Sequence, residues 1–270
     1  MRYLRDGIAT GKNGMVRIMC SDLSDTLHSA FPHLQYSHQS YHQVFNGESY
    51  VNTTMAIYVL RRLGEYLGAN IDKIDGQKKL AADLRDACRQ HEGRLRQAIF
   101  TDLEARPWVP RGRVGDHVLG DEDAFAAPQA FIFNNPDLPE KRRREIWENV
   151  KPRLWDGEPF GVLLREGTGK HRCGMVWYAW SGMFALGLAD IDPDAAREAI
   201  ERLGLRRRAE KEPGQWMGLW SNSDVTWGYT TTPEGEIPGT TRVGYVKRSP
   251  HFCAHVHAWP LMLWFRLHRA

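Results

Sequence analysis

Apolar residues recur every three or four positions over long stretches of this 270-residue chain, and this spacing restricts its fold more than any other feature. Within residues 49–67, Met55, Val59 and Leu63 lie on one stripe of a predicted helix, and Gly68 suits its C-terminal cap. Because strand signals are few and short, we predict an all-α fold of about six helices. The other predicted helices cover about residues 77–103, 139–154, 174–191, 192–208 and 257–268.

Three long segments between the predicted helices carry most of the unusual residues. Residues 1–46, 105–138 and 212–254 are rich in glycine, proline or polar side chains, and we predict them to be loops. Long loops inside a compact domain are usually functional. We therefore look for the site in these segments rather than on the helices.

Composition and charge exclude several classes of protein. A net charge of +3 without a binding motif argues against a nucleic-acid partner, and no apolar run is long enough to cross a membrane. The N-terminus lacks the apolar stretch of a signal peptide, and the four cysteines are too far apart for a zinc or disulfide framework. We expect a cytoplasmic protein without a metal or a bound cofactor.

Ten tryptophans are many for this length, and several lie in or beside the predicted loops. Indole rings stack on the apolar faces of sugar rings, while nearby polar groups bind the hydroxyls. Trp216 and Trp220 lie close to the polar run 221–224, which ends at Asp224, and this combination favours a sugar-binding loop. For Trp177 and Trp180, packing in a core is the competing interpretation.

Two acidic segments are candidates for proton transfer. Asp22 and Asp25 lie three residues apart, and cleavage of a glycosidic bond needs a carboxylic acid to protonate the leaving oxygen. Glu48 stands at the start of a predicted helix and is a candidate sugar ligand or base. The alternatives are local: Asp25 as a helix cap, and Glu48 as an acid favoured by the helix dipole.

Histidines alternate near the C-terminus, at His251, His255 and His257. This pattern suggests a metal site, but no carboxylate motif accompanies it. We favour a structural histidine, or a hydrogen bond from His255 to a sugar or an anion.

Read in order, several motifs resemble the glycoside hydrolase family of cellobiose and chitobiose phosphorylases and of the phosphorylase-like domain of cyclic β-1,2-glucan synthases. That family has G-x-x-G-L followed by G-D-W-N-D, and here Gly11-Lys12-Asn13-Gly14-Met15 precedes Ser21-Asp22-Leu23-Ser24-Asp25. A G-E-S helix start follows, matched by Gly47-Glu48-Ser49. An R-x-x-x-D-G-x-x-L-G stretch and a glutamine-bearing helix come next, matched by residues 111–120 and Gln129.

The resemblance implies an inverting enzyme that acts on β-linked gluco-oligosaccharides. Asp25 matches the general acid of the family. Attack from the opposite face comes from phosphate or from water, and water needs a base, for which Glu48 and Asp224 are the candidates. Phosphate would bind near His255, Arg242 and Thr241. The expected substrate-binding residues are Asp22, Arg111, Trp177, Tyr178, Trp216, Trp220 and His255.

The chain departs from the family at three points. Leu23 and Ser24 replace the Trp and Asn of the acid motif, and Tyr178 stands where the family has its phosphate-binding histidine. The threonine-glycine phosphate motif of the family is not evident. Inorganic phosphate is therefore expected to be an optional co-substrate at most.

The family's catalytic domain is an (α/α)6 toroid of twelve helices, and this chain matches its C-terminal half as a single portion, residues 1–270. We expect an upstream part of the same polypeptide, or self-association, to cover the apolar faces of the predicted helices over 49–67 and 174–191. Two alternatives remain open: a non-catalytic module that binds carbohydrate, and a purely structural helical solenoid.

Overall fold

The structure of the protein is a computed structural model that is mostly helical and divides into two compact units. Unit 1 comprises Met1–Arg106 and Pro110–Gly120, and unit 2 comprises Pro107–Val109 and Asp121–Ala270. The described residues are 10–18, 43–74, 76–167, 174–204, 222–223, 225–233, 235–239, 245–248, 252–253 and 255–268. Among these residues, no helix combines the length and the apolar character needed to cross a membrane.

A hairpin of two long helices dominates unit 1. Helix α1 covers Tyr50–Asn70 and helix α2 covers Lys78–Leu103, with a 3-10 turn at Ile71–Lys73 between them. Both helices match the predicted ones closely. The N-terminal cap of α1 is Ser49, whose hydroxyl accepts a hydrogen bond from the backbone N–H of Asn52 at 2.9 Å.

A small antiparallel sheet lies at the base of this hairpin. Strand β1 is Glu48–Ser49, β2 is Gly112–Val114 and β3 is His117–Leu119, in the order β1-β2-β3. In the register, Glu48 pairs with Arg113 on one side, and an isolated bridge pairs it with Arg17 on the other. The prediction of a loop over residues 105–138 is therefore wrong, since β2, β3 and the helix Ala126–Phe133 fall within it.

Unit 2 packs its helices around one buried helix. Helix α3 is Ala126–Phe133, α4 is Glu140–Val150, α5 is Tyr178–Leu188, α6 is Pro193–Leu203 and α7 is His255–Leu267. A π-helical turn, Lys151–Trp155, extends α4. Helix α5 packs against α3, α6 and α7, and ten of its eleven residues are buried.

The burial of α5 corrects two expectations about residues 174–191. The segment does not form one helix, because Met175–Trp177 is a strand, β4, and the helix begins only at Tyr178. Its apolar faces also have partners within unit 2. Small residues permit this packing: a Cβ on Gly187 would lie 2.5 Å from Phe133 Cβ, and one on Gly182 would lie 2.7 Å from Trp259 Cβ.

Strands replace the loop that was predicted over residues 212–254. Among the described residues there, β5 is Asn222–Ser223, β6 is Val225–Thr232, β7 is Gly235–Gly239, β8 is Tyr245–Arg248 and β9 is Phe252–Cys253. Strand β6 is central to a four-stranded sheet, because β4, β7 and β8 all pair with it. Strands β5 and β9 form a separate two-stranded sheet. Helix α6 also ends before the predicted residue 208, at Leu203, and the following Gly204 has a φ of 49°, which suits a left-handed cap.

Candidate functional site

The carboxylate of Glu48 accepts hydrogen bonds from the turn formed by Gly11–Met15. Its Oε1 accepts hydrogen bonds from the backbone N–H groups of Asn13 and Met15, at 2.9 and 3.2 Å, and its Oε2 accepts one from Asn13 Nδ2 at 2.6 Å. Glu48 is only 4% exposed. A buried carboxylate is stable only when its oxygens are hydrogen-bonded, and this turn supplies the donors.

Two glycines make this contact fit. A Cβ on Gly11 would lie 2.6 Å from Glu48 Cδ, and a Cβ on Gly47 would lie 2.6 Å from the carbonyl oxygen of Arg113. Gly14 adopts a φ of 81°, which favours glycine, and its N–H donates to the carbonyl of Gly11 at 3.1 Å. The glycines of both motifs are therefore explained by close approach or by backbone conformation.

The chain after this turn runs along β1 and the first turn of α1. The N–H of Ile18 donates to the carbonyl of Gly47 at 2.7 Å, and the N–H of Ser49 donates to that of Val16 at 2.8 Å. In the first turn of α1, Thr53 Oγ1 accepts a hydrogen bond from the N–H of Val16 at 3.0 Å. Residues 16–18 are therefore held against β1 and the first turn of α1.

A polar cluster connects the middle strand of the same sheet, β2, to the helical hairpin. The hydroxyl of Tyr50 donates to Asp102 Oδ2 at 2.7 Å, and Arg113 Nη2 donates to Asp102 Oδ1 at 2.8 Å and to the Tyr50 oxygen at 3.1 Å. Arg106 completes the cluster, since its Nε donates a hydrogen bond to Asp102 Oδ2 at 2.7 Å. Burial, and then the hydrogen bond to Asp102, raise the pKa of Tyr50 well above its usual value, so the phenol stays neutral.

Arg111 is the other predicted site residue of unit 1 that the structure describes. It is 5% exposed, and its backbone N–H donates to the carbonyl of Leu119 at 2.8 Å, at the open end of the β2–β3 hairpin. Its burial is unusual for arginine, which is rarely buried unless it is paired.

In unit 2, Gln129 holds the segment Pro107–Val109 against α3. Its Oε1 accepts from the N–H of Val109 at 3.0 Å, and its Nε2 donates to the carbonyls of Val109 and Phe125 at 2.6 and 3.0 Å. The side chain is fully buried. The glutamine that carries part of the family resemblance thus satisfies both backbone groups of Val109.

The aromatic residues near β4 differ in exposure. Tyr178 is fully buried at the start of α5, and Trp180 packs edge-on against Phe131 with ring centroids 5.7 Å apart. Core packing is therefore confirmed for Trp180. Trp177 is partly exposed at the end of β4, where its backbone pairs with Val225 at the start of β6.

The pairing of β5 with β9 brings two further segments of unit 2 together. Asn222 pairs with Cys253 and Ser223 with Phe252, and α7 begins shortly afterwards, at His255. The remaining predicted residues lie outside the described ones: Asp22, Asp25, Trp216, Trp220, Asp224, Thr241 and Arg242.

Sequence reasoning missed several partners in these clusters. The role of Asn13 depends on Glu48, which is 35 residues away, and no local pattern reports such a contact. Asp102 and Arg106 are spaced as an i,i+4 pair on a helix, so their ion pair was readable from the sequence.

Within the part of the chain that the structure describes, no group of three or more His, Cys, Asp or Glu side chains could hold a metal ion. Comparison of the chain with known protein families and with curated protein sequences gives no match.

Proposed function

We propose that the chain is part of a carbohydrate-active enzyme that cleaves or transfers β-linked gluco-oligosaccharides with inversion at the anomeric carbon. Asp25 is the general acid of this proposal. Its carboxyl group protonates the glycosidic oxygen while the nucleophile attacks from the opposite face of the sugar ring.

One observation supports this proposal above the others. Three segments of unit 1 carry the family resemblance and are far apart in sequence: residues 47–49 and 111–120 pair in one small sheet, and the turn over residues 11–15 binds the Glu48 side chain of that sheet. Motifs that match by chance have no reason to contact one another. Their contacts are also specific, since glycines and a buried carboxylate are required at the matched positions.

For attack by water, we assign the base role to Asp224 in preference to Glu48. A base must reach a water molecule, and the carboxylate oxygens of Glu48 already accept three hydrogen bonds in a buried position. Trp216, Trp220 and Asp22 are the proposed sugar contacts, and His255 is a further candidate.

We further propose that the helices belong to an (α/α)6 toroid and that an upstream part of the same polypeptide, or a second copy, completes it. Exposed apolar side chains support a partner surface: Val59, Leu63 and Tyr66 on α1 are 53%, 38% and 64% exposed, and Trp264 and Phe265 on α7 are 46% and 52% exposed.

Residues 1–270 expressed alone should therefore self-associate or unfold with low cooperativity. Sedimentation together with thermal unfolding tests this, and a stable, cooperative monomer would contradict it.

The central test is a product assay on β-1,2-, β-1,3- and β-1,4-linked gluco-oligosaccharides, with and without phosphate. Release of a sugar with inverted anomeric configuration supports the proposed function. Binding by calorimetry without turnover would instead indicate a carbohydrate-binding module. If the protein neither binds nor cleaves any of the three linkages, the proposed substrate class is wrong.

Phosphate is expected to be dispensable in this assay. Tyr178 stands at the place of the phosphate-binding histidine of the family, and a tyrosine donates one hydrogen bond but carries no positive charge at neutral pH. Its full burial also keeps its ring away from solvent-borne anions. The measurement is the ratio of free sugar to sugar 1-phosphate, and sugar 1-phosphate as the sole product would contradict this prediction.

A further inference from the structure

We infer that Glu48 is a positioning residue whose carboxylate anchors the Gly11–Met15 turn, which precedes the acidic segment 21–25 in the sequence. Whether Glu48 anchors the turn does not depend on the activity of the protein. The effect of the anchor on turnover rests on the proposed function.

The geometry around the carboxylate supports anchoring over catalysis. Within the described residues, every hydrogen bond of its two oxygens is to the turn: two backbone N–H groups donate to Oε1 and one side-chain N–H donates to Oε2. Gly11 closes over the side chain so tightly that a Cβ would overlap it. A substrate or a water molecule would have to displace the turn before it could reach these oxygens.

The turn is tied at both ends, so the anchor has a mechanical consequence. Thr10 and Val16 form a β-bridge at the two ends of the turn. Beyond it, Arg17 forms a β-bridge with Glu48, and Ile18 donates a hydrogen bond to the carbonyl of Gly47. Loss of the carboxylate would leave the N–H groups of Asn13 and Met15 without this acceptor and would remove the hydrogen bond from Asn13 Nδ2. Movement of a catalytic group by about 1 Å can cost on the order of 10²-fold in rate.

The chemistry of the amide group separates anchoring from base catalysis. In Glu48→Gln, the Oε1 oxygen still accepts from the N–H groups of Asn13 and Met15. Rotation of the Asn13 amide by half a turn then presents its oxygen to the new Nε2, so all three hydrogen bonds persist. A glutamine cannot accept a proton, so this variant abolishes a base but preserves an anchor.

Asn13 provides the matched control. Asn13→Asp sets a second carboxylate against Glu48 across the contact that now measures 2.6 Å, and the repulsion should open the turn. Adding Glu48→Gln to Asn13→Asp restores a donor facing an acceptor. The double variant should therefore recover what the single Asn13→Asp variant loses, which is a non-additivity that only a direct contact produces.

Two readouts on the full chain test the inference: kcat and KM on the best substrate of the product assay, and hydrogen–deuterium exchange of the peptide containing residues 10–18. We expect Glu48→Gln to keep kcat within about threefold and to keep the peptide protected. We expect Glu48→Ala and Asn13→Asp to lose protection, with kcat lower by roughly 10²-fold. Asn13→Asp/Glu48→Gln should recover both.

The outcomes are distinguishable from failure of the proposed function. If Glu48→Gln lowers kcat by 10²-fold or more while the peptide stays protected, Glu48 is a base and the inference is overturned. If no variant, nor the parent protein, turns over any substrate, the proposed function fails and exchange alone decides the anchor. Equal exchange in the parent, Glu48→Ala and Asn13→Asp would then overturn it. Should Glu48→Ala fail to fold, the Asn13 pair carries the same comparison.

Discussion

Replacing Asp25 with asparagine is expected to lower turnover by roughly 10²–10⁴-fold, the usual contribution of a general acid. Asparagine keeps the size of the side chain but has no proton to donate to the glycosidic oxygen. The measurement is kcat on the best gluco-oligosaccharide from the product assay. An aryl glucoside with an acidic phenol should be much less sensitive to the change, because its leaving group needs little protonation.

The matched control is Asp72→Asn, which makes the same chemical change at the exposed tip of the helical hairpin. It should leave kcat as it is. If Asp25→Asn also keeps near-parental turnover, Asp25 is a local cap of the kind considered for its segment, and the acid must be sought elsewhere.

Trp147→Ala is expected to lower the free energy of unfolding of unit 2 by about 3–5 kcal/mol, the usual cost of removing a large buried aromatic side chain. Trp147 is 4% exposed and meets Phe133, Trp155 and Phe184 edge-on, with ring centroids 5.7–6.4 Å apart. Its Nε1 also donates to Asp192, the N-cap of α6, at 2.8 Å. The substitution thus opens a cavity and removes a partner of that cap.

Urea denaturation followed by intrinsic fluorescence measures this loss. Glu148→Ala truncates the neighbouring side chain on the exposed face of α4 and should change stability by no more than about 0.5 kcal/mol. Equal effects of the two substitutions would mean that the aromatic cluster around Trp147 does not hold unit 2 together.

Periodicity predicted the long helices because their stripes run over many turns. Helices α1 and α2 begin and end within a few residues of the predicted bounds. The helix predicted from residue 192 also begins there, with Asp192 as its N-cap, accepting from the N–H of Ala195 at 3.0 Å. These features depend on residues that are close in sequence. Local physical chemistry is therefore sufficient to find them.

The strands were missed for two different reasons. Strands β1 to β3 have two or three residues each, which is too short for apolar and polar positions to alternate visibly. Strand β6, by contrast, has the β-branched and aromatic sequence Val-Thr-Trp-Gly-Tyr-Thr-Thr-Thr, which favours a strand. Its glycine and threonines, flanked by polar residues, favour a loop, and the loop prediction is wrong here.

The candidate site shows the same division. Glu48 stood out as an acid before a helix, but its partners are the backbone of a turn 33–35 residues upstream. The helix-dipole interpretation expected Glu48 to interact with the start of α1, whereas its hydrogen bonds go to the turn that contains Asn13 and Met15. Such a pairing depends on the register of β1 with the chain beside it, and a single sequence does not encode that register in any local pattern.

The helical hairpin of unit 1 also separates the two ends of that unit. Helix α1 has 21 residues, so its tip stands about 31 Å along the axis from the base that carries Glu48. At the tip, Gly76 has a φ of 70° and no heavy atom within 4 Å of where a Cβ would lie. This end of the hairpin therefore suits an inserted affinity tag or fluorophore, which would let the protein be immobilised or tracked without touching the segments at the base.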